Sequence, residues 1–418
     1  VTRNSTIYPQ GDSLPKIFQE QYAKYGNRKI AIRKKRYGIW QEYSWEESYL
    51  NAKYLALGMV SLGFVKGDKA CILGDNDPEY LWADIAVQAL GGVVVGLYID
   101  AIPEEIKYII NHSDSEIIFA KDQEQVDKIL GIKDELPNLR YIIYWEPKGL
   151  WFYEDSILLK FSDVLEMGRK FEKDRGDLFE KEINKGEADD LSIISYTSGT
   201  TGLPKGVMIS HANLIMACRD RMFAVDPWTD KDEYLSYVSP AWITEHGFWA
   251  MALLAGVTIN FPESAQTLHD NLREIGPSSI VYPTRMWESI MSSHTARMAD
   301  STWLKKWCWK ILFPIGYRYA ENEEKRVKSG IFLTVIHKIA VYLLFNQIID
   351  KMGFSKLRTA WTGGAPLSPA CFGYFRAMGI PIKQLYGATE VQGVVAHYEG
   401  DVKWETLGKV LPTANVKI

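Results

Sequence analysis

Short apolar runs bounded by breaker residues alternate along this chain with longer stretches whose apolar positions recur every three or four residues. Residues 45–62 have the second pattern and are predicted to form an amphipathic helix. Ala70-Cys71-Ile72-Leu73 is apolar throughout and stops at Gly74-Asp75-Asn76, the signature of a buried strand. Pro78 suits the first turn of a helix reaching Leu90, residues 93–98 read as a strand, Pro103 opens the next helix and 116–120 is again a strand. Strand and helix signals in strict alternation predict a parallel sheet with helices on its faces.

Further along, Arg33-Lys34-Lys35-Arg36 lies between Ile30-Ala31-Ile32 and Tyr37-Gly38-Ile39-Trp40, and is read as the exposed turn of a hairpin rather than a targeting signal. The charge-rich stretch 167–190 is read as a solvated connection. Ser210 is placed as the N-cap of a helix. Strands are expected at 191–195, 255–261, 279–282 and 357–361, and helices at 268–275 and from Ser368-Pro369 onward. In 301–313, Trp303, Leu304, Trp307, Cys308, Ile311 and Leu312 fall at helical spacing, with Lys305, Lys306 and Lys310 on the other side. Residues 331–345 are more apolar and broken by His337-Lys338. Two readings stand for 301–345: packing onto the body of the protein, or peripheral contact with a membrane. Uninterrupted apolar runs stay short of the roughly 20 residues that span a bilayer.

Composition narrows the class. The 418 residues exceed one ordinary core, and 47% hydrophobic with 24% charged residues is the balance of a soluble globular protein. A formal net charge of −4 argues against a general nucleic-acid binder. Cys71, Cys218, Cys308 and Cys371 lie far apart without metal-ligand spacing, so buried thiols in a reduced, cytoplasmic protein are expected.

The most informative stretch is Tyr196-Thr197-Ser198-Gly199-Thr200-Thr201-Gly202-Leu203-Pro204-Lys205-Gly206, which follows the apolar run 191–195. Glycines let backbone N–H groups approach an anion, hydroxyls add donors and Lys205 adds a positive charge. No Gly-Lys-Ser/Thr ends it, so it is not the common P-loop. A second element is Tyr386-Gly387-Ala388-Thr389-Glu390, and a third is Gly363-Gly364-Ala365-Pro366-Leu367. An aromatic ring suits a nucleobase, a hydroxyl a phosphate oxygen, and a carboxylate a hard cation.

In this order the three elements resemble those of the adenylate-forming (AMP-binding) superfamily, and the Pro283-to-Glu288 stretch with its Trp287-Glu288 pair is similar to the long-chain fatty acyl-CoA synthetase branch. The resemblance implies an α/β fold with two stacked, doubly wound, mostly parallel sheets flanked by helices and the start of a distorted β-barrel. It implies subdomains at about 1–190, 191–400 and 401–418, and a C-terminal lid domain beyond Ile418. Thr197, Ser198, Gly199, Thr200, Thr201, Gly202 and Lys205 would hold ATP phosphates. Gly363, Gly364, Ala365 and Pro366 would line the adenine pocket with Tyr386, Gly387 and Ala388. Thr389, Glu390 and Lys205 would be catalytic, with Glu390 holding Mg2+. Trp242, His246, Tyr282 and Gly387 are candidates for the acyl pocket, with Trp242 open to either a gating or a core-packing role.

The implied reaction is ATP-dependent conversion of a long- or medium-chain fatty acid to acyl-AMP and then, with CoA as co-substrate, to acyl-CoA. Loading of a carrier protein, or non-catalytic nucleotide or lipid binding, are the alternatives. Without the lid, only ligand binding and feeble adenylation are expected. The long-chain branch also brings an expectation of homodimers; the cysteine spacing brings that of a cytoplasmic location, with membrane association through 301–345 as the alternative.

Overall fold

The computed structural model describes residues 8–197 and 202–417. Two compact units divide the chain: residues 1–218 with 236–262, and residues 219–235 with 263–418. The expected subdomain limit at residue 190 lies inside the first unit, because the strand Leu191–Thr197 pairs in parallel with Val93–Leu97.

The first unit is built on a seven-stranded sheet ordered Leu158–Lys160, Tyr141–Tyr144, Ser115–Ala120, Lys69–Leu73, Val93–Leu97, Leu191–Thr197 and Lys205–Ser210. All neighbours are parallel except the last pair. From the central strand the chain passes first to one neighbour and then crosses to the other, the doubly wound arrangement. Ala70, Cys71, Ile72 and Leu73 are fully buried, as an unbroken apolar run between two helical layers requires. Ile72 and Leu73 each contribute about 1.5–3 kcal/mol on leaving water. Helix starts follow the predicted signals: Pro78–Ala89 and Pro103–Ser113 open on proline, and the Ser210 hydroxyl accepts from the Asn213 amide at 3.3 Å.

Three expectations are corrected here. The basic run 33–36 is not a turn but part of the strand Ile30–Arg36, and the turn is Tyr37-Gly38, both with positive φ. Lys34 and Lys35 are buried, and Lys34 is neutralised by Asp77 at 2.6 Å. Next, 167–190 is not a loose connection: Phe161–Arg175 and Leu178–Lys185 are helices. Gly168 belongs there for packing, since a Cβ on it would lie 1.8 Å from the Tyr54 carbonyl of helix Trp45–Ser61. Finally, the strand expected from 255 begins at Thr258, because Ala255 ends the helix Ile243–Ala255 and Gly256 caps it in the left-handed region at φ 71°.

The second unit carries parallel strands Glu233–Leu235, Ser279–Pro283, Thr359–Gly363 and Ile382–Ala388, in that spatial order. Gln392–Ala396 and Lys409–Val410 continue it in antiparallel fashion, the second of them within the stretch 401–418 expected to start a barrel. Helix Pro369–Met378 begins at Ser368, whose hydroxyl accepts from the Cys371 amide at 3.3 Å. Trp303–Glu324 is one helix running through Pro314. Helical structure also runs without a break from Ile331 to Lys351, giving 21 residues long and apolar enough to cross a membrane, where the sequence shows only shorter apolar runs.

Candidate active site

In the first unit the strands on either side of the Gly/Thr-rich stretch form an antiparallel pair, with Thr197 opposite Lys205 and Tyr196 opposite Gly206. Ser198, Gly199, Thr200 and Thr201 lie outside the described residues. Gly202 has φ 132°, a conformation that only glycine adopts freely. Helix Pro103–Ser113 braces the pair from below: His112 Nδ1 is 2.7 Å from the Tyr196 hydroxyl, and the Tyr108 hydroxyl donates to the Pro204 carbonyl at 3.2 Å. Burial pushes the Tyr196 hydroxyl well above its ordinary range, so it stays a neutral anchor. Lys205 is exposed, and among the described residues its ammonium group has no hydrogen-bond or ion-pair partner.

In the second unit three parallel strands end side by side. Ser279–Pro283 pairs with Thr359–Gly363 in register Tyr282–Thr362 and Pro283–Gly363, and Thr362 pairs with Gln384 of Ile382–Ala388. The carboxyl ends of parallel strands are where α/β sheets bind ligands. Here they bring Gly363-Gly364-Ala365-Pro366 beside Tyr386-Gly387-Ala388. Close approach is enforced by the residue types: a Cβ on Gly363 would lie 3.1 Å from the Leu385 carbonyl, and one on Gly387 only 1.9 Å from the Gln392 carbonyl. The Thr284 hydroxyl donates to the Ala365 carbonyl at 2.7 Å and pins the turn. Thr389 and Glu390 form the turn between Ile382–Ala388 and Gln392–Ala396, with Thr389 half-buried and Glu390 and Tyr386 exposed.

The acyl-pocket candidates are split. Trp242 is half-buried at the N-cap of helix Ile243–Ala255 in the first unit. One turn on, His246 is fully enclosed by Asp84, 3.8 Å away, and the rings of Tyr80 and Trp249. Burial lowers the His246 imidazole to about 4 and raises the Asp84 carboxyl to about 7, so the histidine is neutral at physiological pH. Tyr282, in the second unit, is buried with its ring on Trp287 and Phe354 at 5.2 and 6.3 Å, and takes a core-packing place. His211, which closes the signature region, receives the Leu14 amide at 3.3 Å, and burial lowers it to about 4.

Two polar clusters escaped the reading by pattern. Asp226 is fully buried and accepts from Trp228 and Trp361 Nε1, each at 3.0 Å, and from the Ser279 hydroxyl at 2.9 Å, with Arg358 at 2.6 Å. Burial alone would raise its pKa; Arg358 and these donors win and hold it low. The second cluster is centred on Asn76, whose amide donates to the Ser236 hydroxyl at 2.9 Å and the Val238 carbonyl at 2.8 Å. It ties the turn after Lys69–Leu73 to the segment preceding Trp242. Neither cluster has a local sequence signal, since Trp361, Arg358 and Ser279 are far from Asp226 along the chain, as Ser236 and Val238 are from Asn76.

The family model for AMP-binding enzymes matches residues 18–418. The chain belongs to the AMP-binding enzyme family. Among curated relatives of this family, long-chain-fatty-acid–CoA ligase ACSBG1 of Rattus norvegicus is 27% identical over 422 residues, covering 97% of this chain and 56% of that protein. Long-chain-fatty-acid–CoA ligase ACSBG2 of Xenopus laevis is 27% identical over 394 residues, 91% of this chain and 51% of that protein. The chain thus spans just over half the length of these relatives. Among solved structures, the anthranilate CoA ligase AuaEII in complex with anthranoyl-AMP superposes with a TM-score of 0.68 at 17% identity, over 96% of this chain and 64% of that one. A luciferase-like enzyme from the mealworm Zophobas morio gives 0.68 at 18% identity, over 97% and 81%. At such identities the structures establish the fold alone, α/β with mostly parallel strands flanked by helices.

Proposed function

We propose that the protein activates a fatty acid with ATP, forming acyl-AMP and pyrophosphate, and passes the acyl group to CoA. The observation that carries this reading is the set of adjacent strand ends in the second unit, which hold Gly363–Pro366, Tyr386–Ala388 and Thr389-Glu390 at the carboxyl ends of neighbouring parallel strands. The ligase names of the curated relatives support the fatty acid and CoA.

Attack of a carboxylate oxygen on the α-phosphorus brings two anions together, so the protein must supply positive charge and fixed donors. Tyr386, with the glycine backbone at 363–364, offers a flat apolar seat for adenine. The Thr389 hydroxyl would donate to an α-phosphate oxygen, and Gly387 leaves room for the acyl carbonyl. In the first unit, Lys205 at the start of the strand Lys205–Ser210 offers an exposed cation suited to phosphate oxygens. Glu390 is a solvent-facing carboxylate at a turn tip, which suits Mg2+, an ion that takes one or two carboxylates and completes its shell with phosphate oxygens and water. When bound there, Mg2+ would supply charge neutralisation on the phosphates. Trp242, at the head of its helix, is the candidate for the carboxylate end of the acyl pocket.

The test is pyrophosphate exchange into ATP by the full-length protein with acids of graded chain length. Exchange that depends on a long- or medium-chain acid, followed by CoA-dependent AMP release, is the expected result. Acid-dependent exchange without response to CoA would point to a carrier-protein acceptor, and no exchange with any acid would overturn the reading.

A further inference from the structure

The helices Trp303–Glu324 and Ile331–Lys351 carry apolar surface on two sides. Their inner sides rest on the same helix, Pro369–Met378. A Cβ on Gly316 would lie 2.3 Å from the Ala377 carbonyl, and His337 Nε2 is 3.3 Å from that same oxygen. The two helices also touch each other, with the Tyr319 and His337 rings stacked at 4.1 Å. With 3.6 residues per turn, Trp303, Leu304, Trp307 and Ile311 share a stripe on the outer side of the first helix. Ile331, Phe332, Val335, Ile339 and Tyr342 share one on the outer side of the second. Both stripes point away from Ala377, because both inner sides meet it.

These outer stripes are bare. Ile331 is 86% exposed, Phe332 79%, and Trp303 and Tyr342 77% each. Such a concentration of large apolar side chains marks an interaction surface. The charge around it says which kind. Lys306 and Lys310 border the first stripe and Lys338 the second, and residues 301–351 hold nine lysines and arginines against four acidic residues, in a chain of net charge −4. Tryptophan and long aliphatic side chains edged by lysine are the composition of a helix lying in a bilayer interface. A protein partner would have to bury those lysines against carboxylates, whereas anionic headgroups meet them in water.

We infer that this helical pair is a monotopic membrane-docking surface for an anionic lipid bilayer. Ile331–Lys351 lies on the membrane rather than spanning it, because His337, Ala340, Phe345 and Ile348 are buried against the protein along the whole segment. Trp307 and Phe332 enter the acyl-chain boundary, and Lys306, Lys310 and Lys338 meet lipid phosphates. An enzyme acting on fatty acids would gain direct access to a substrate dissolved in the bilayer. That benefit rests on the proposed function; the docking itself does not.

The experiment is vesicle co-sedimentation of the full-length protein without ATP or fatty acid, so its outcome is separable from that of the exchange assay. Vesicles of phosphatidylcholine and phosphatidylglycerol at about 7:3 should bind the protein, and pure phosphatidylcholine should bind it several-fold less. Phe332→Glu and Trp307→Glu should each lower binding by about tenfold or more. Lys306→Glu and Lys310→Glu should each lower it about fivefold at low salt, an effect that shrinks near 0.5 M salt. All four positions are exposed, so melting temperatures should match the wild type. Wild-type protein left in the supernatant, or variants that sediment as well as it does, would overturn the inference. So would a wild-type dimer that Phe332→Glu converts to monomer without any vesicle binding.

Discussion

Asp226 and Glu390 belong to the same unit and carry the same charge, yet their surroundings are opposite. Asp226 is sealed from water, and its oxygens receive two indole N–H groups, a hydroxyl and a guanidinium from within the chain. Glu390 stands exposed at a hairpin turn. The first unit repeats the contrast with cations: Lys34 is buried on Asp77, while Lys205 stands exposed at the start of the strand Lys205–Ser210. A charge whose partners are all supplied by the fold holds that fold together. A charge presented on a rigid turn beside glycines is available to a ligand. Asp84 falls in neither class, being buried beside a neutral His246 with Gln88 as its donor at 3.0 Å.

The comparison breaks most readily at Glu390. Glu390→Gln should lower pyrophosphate exchange by about 100- to 1000-fold, the range for losing one electrostatic stabiliser of a transition state. Its melting temperature should be unchanged; a strongly destabilised variant would place Glu390 with Asp226 instead. Asp226→Asn should do the reverse, costing about 2–4 kcal/mol in chemical denaturation because the tryptophan and serine donors lose their charged acceptor. Exchange per folded molecule should survive. Lys205→Met should raise the KM for ATP by about tenfold, as expected for one charge-assisted phosphate contact, with stability within about 0.5 kcal/mol of wild type.

The smallest effect is a pH dependence at Asp84. Its folded pKa of about 7 lies above the unfolded value of about 3.9, so the folded state holds a proton that the unfolded state has released. The Asp84 contribution to stability therefore falls as pH rises through that window and stays lost above it. Asp84→Asn should melt higher than wild type at pH 8 and no higher at pH 4, as checked by thermal melts across that range. A lower melting temperature at pH 8 would show that the carboxylate is held charged by partners.

Local signals made much of this molecule legible. Pro78, Pro103, Ser210 and Ser368 mark helix starts because their cause is the neighbouring backbone, and 70–73 declares itself a buried strand by having no polar face. The motifs around Lys205, Gly363 and Glu390 were visible because each is written in consecutive residues. What stayed hidden depends on distant residues. Lys34 looks exposed until Asp77 is placed beside it. Gly168 looks like a helix breaker until Tyr54 is seen to need its missing side chain. Asp226 is one carboxylate among many until Trp228, Trp361 and Arg358 surround it. The bare outer stripes of the 303–351 helices were likewise ambiguous, since packing and membrane contact ask for the same side chains and only their exposure separates the two.

The central claim is that the exposed turns of this fold serve acyl-adenylate chemistry. The most direct measurement is mass spectrometry of the quenched reaction of the full-length protein with ATP and a fatty acid, before CoA is added. The account predicts acyl-AMP and pyrophosphate in equal amounts. ADP and phosphate, or untouched ATP, would contradict it.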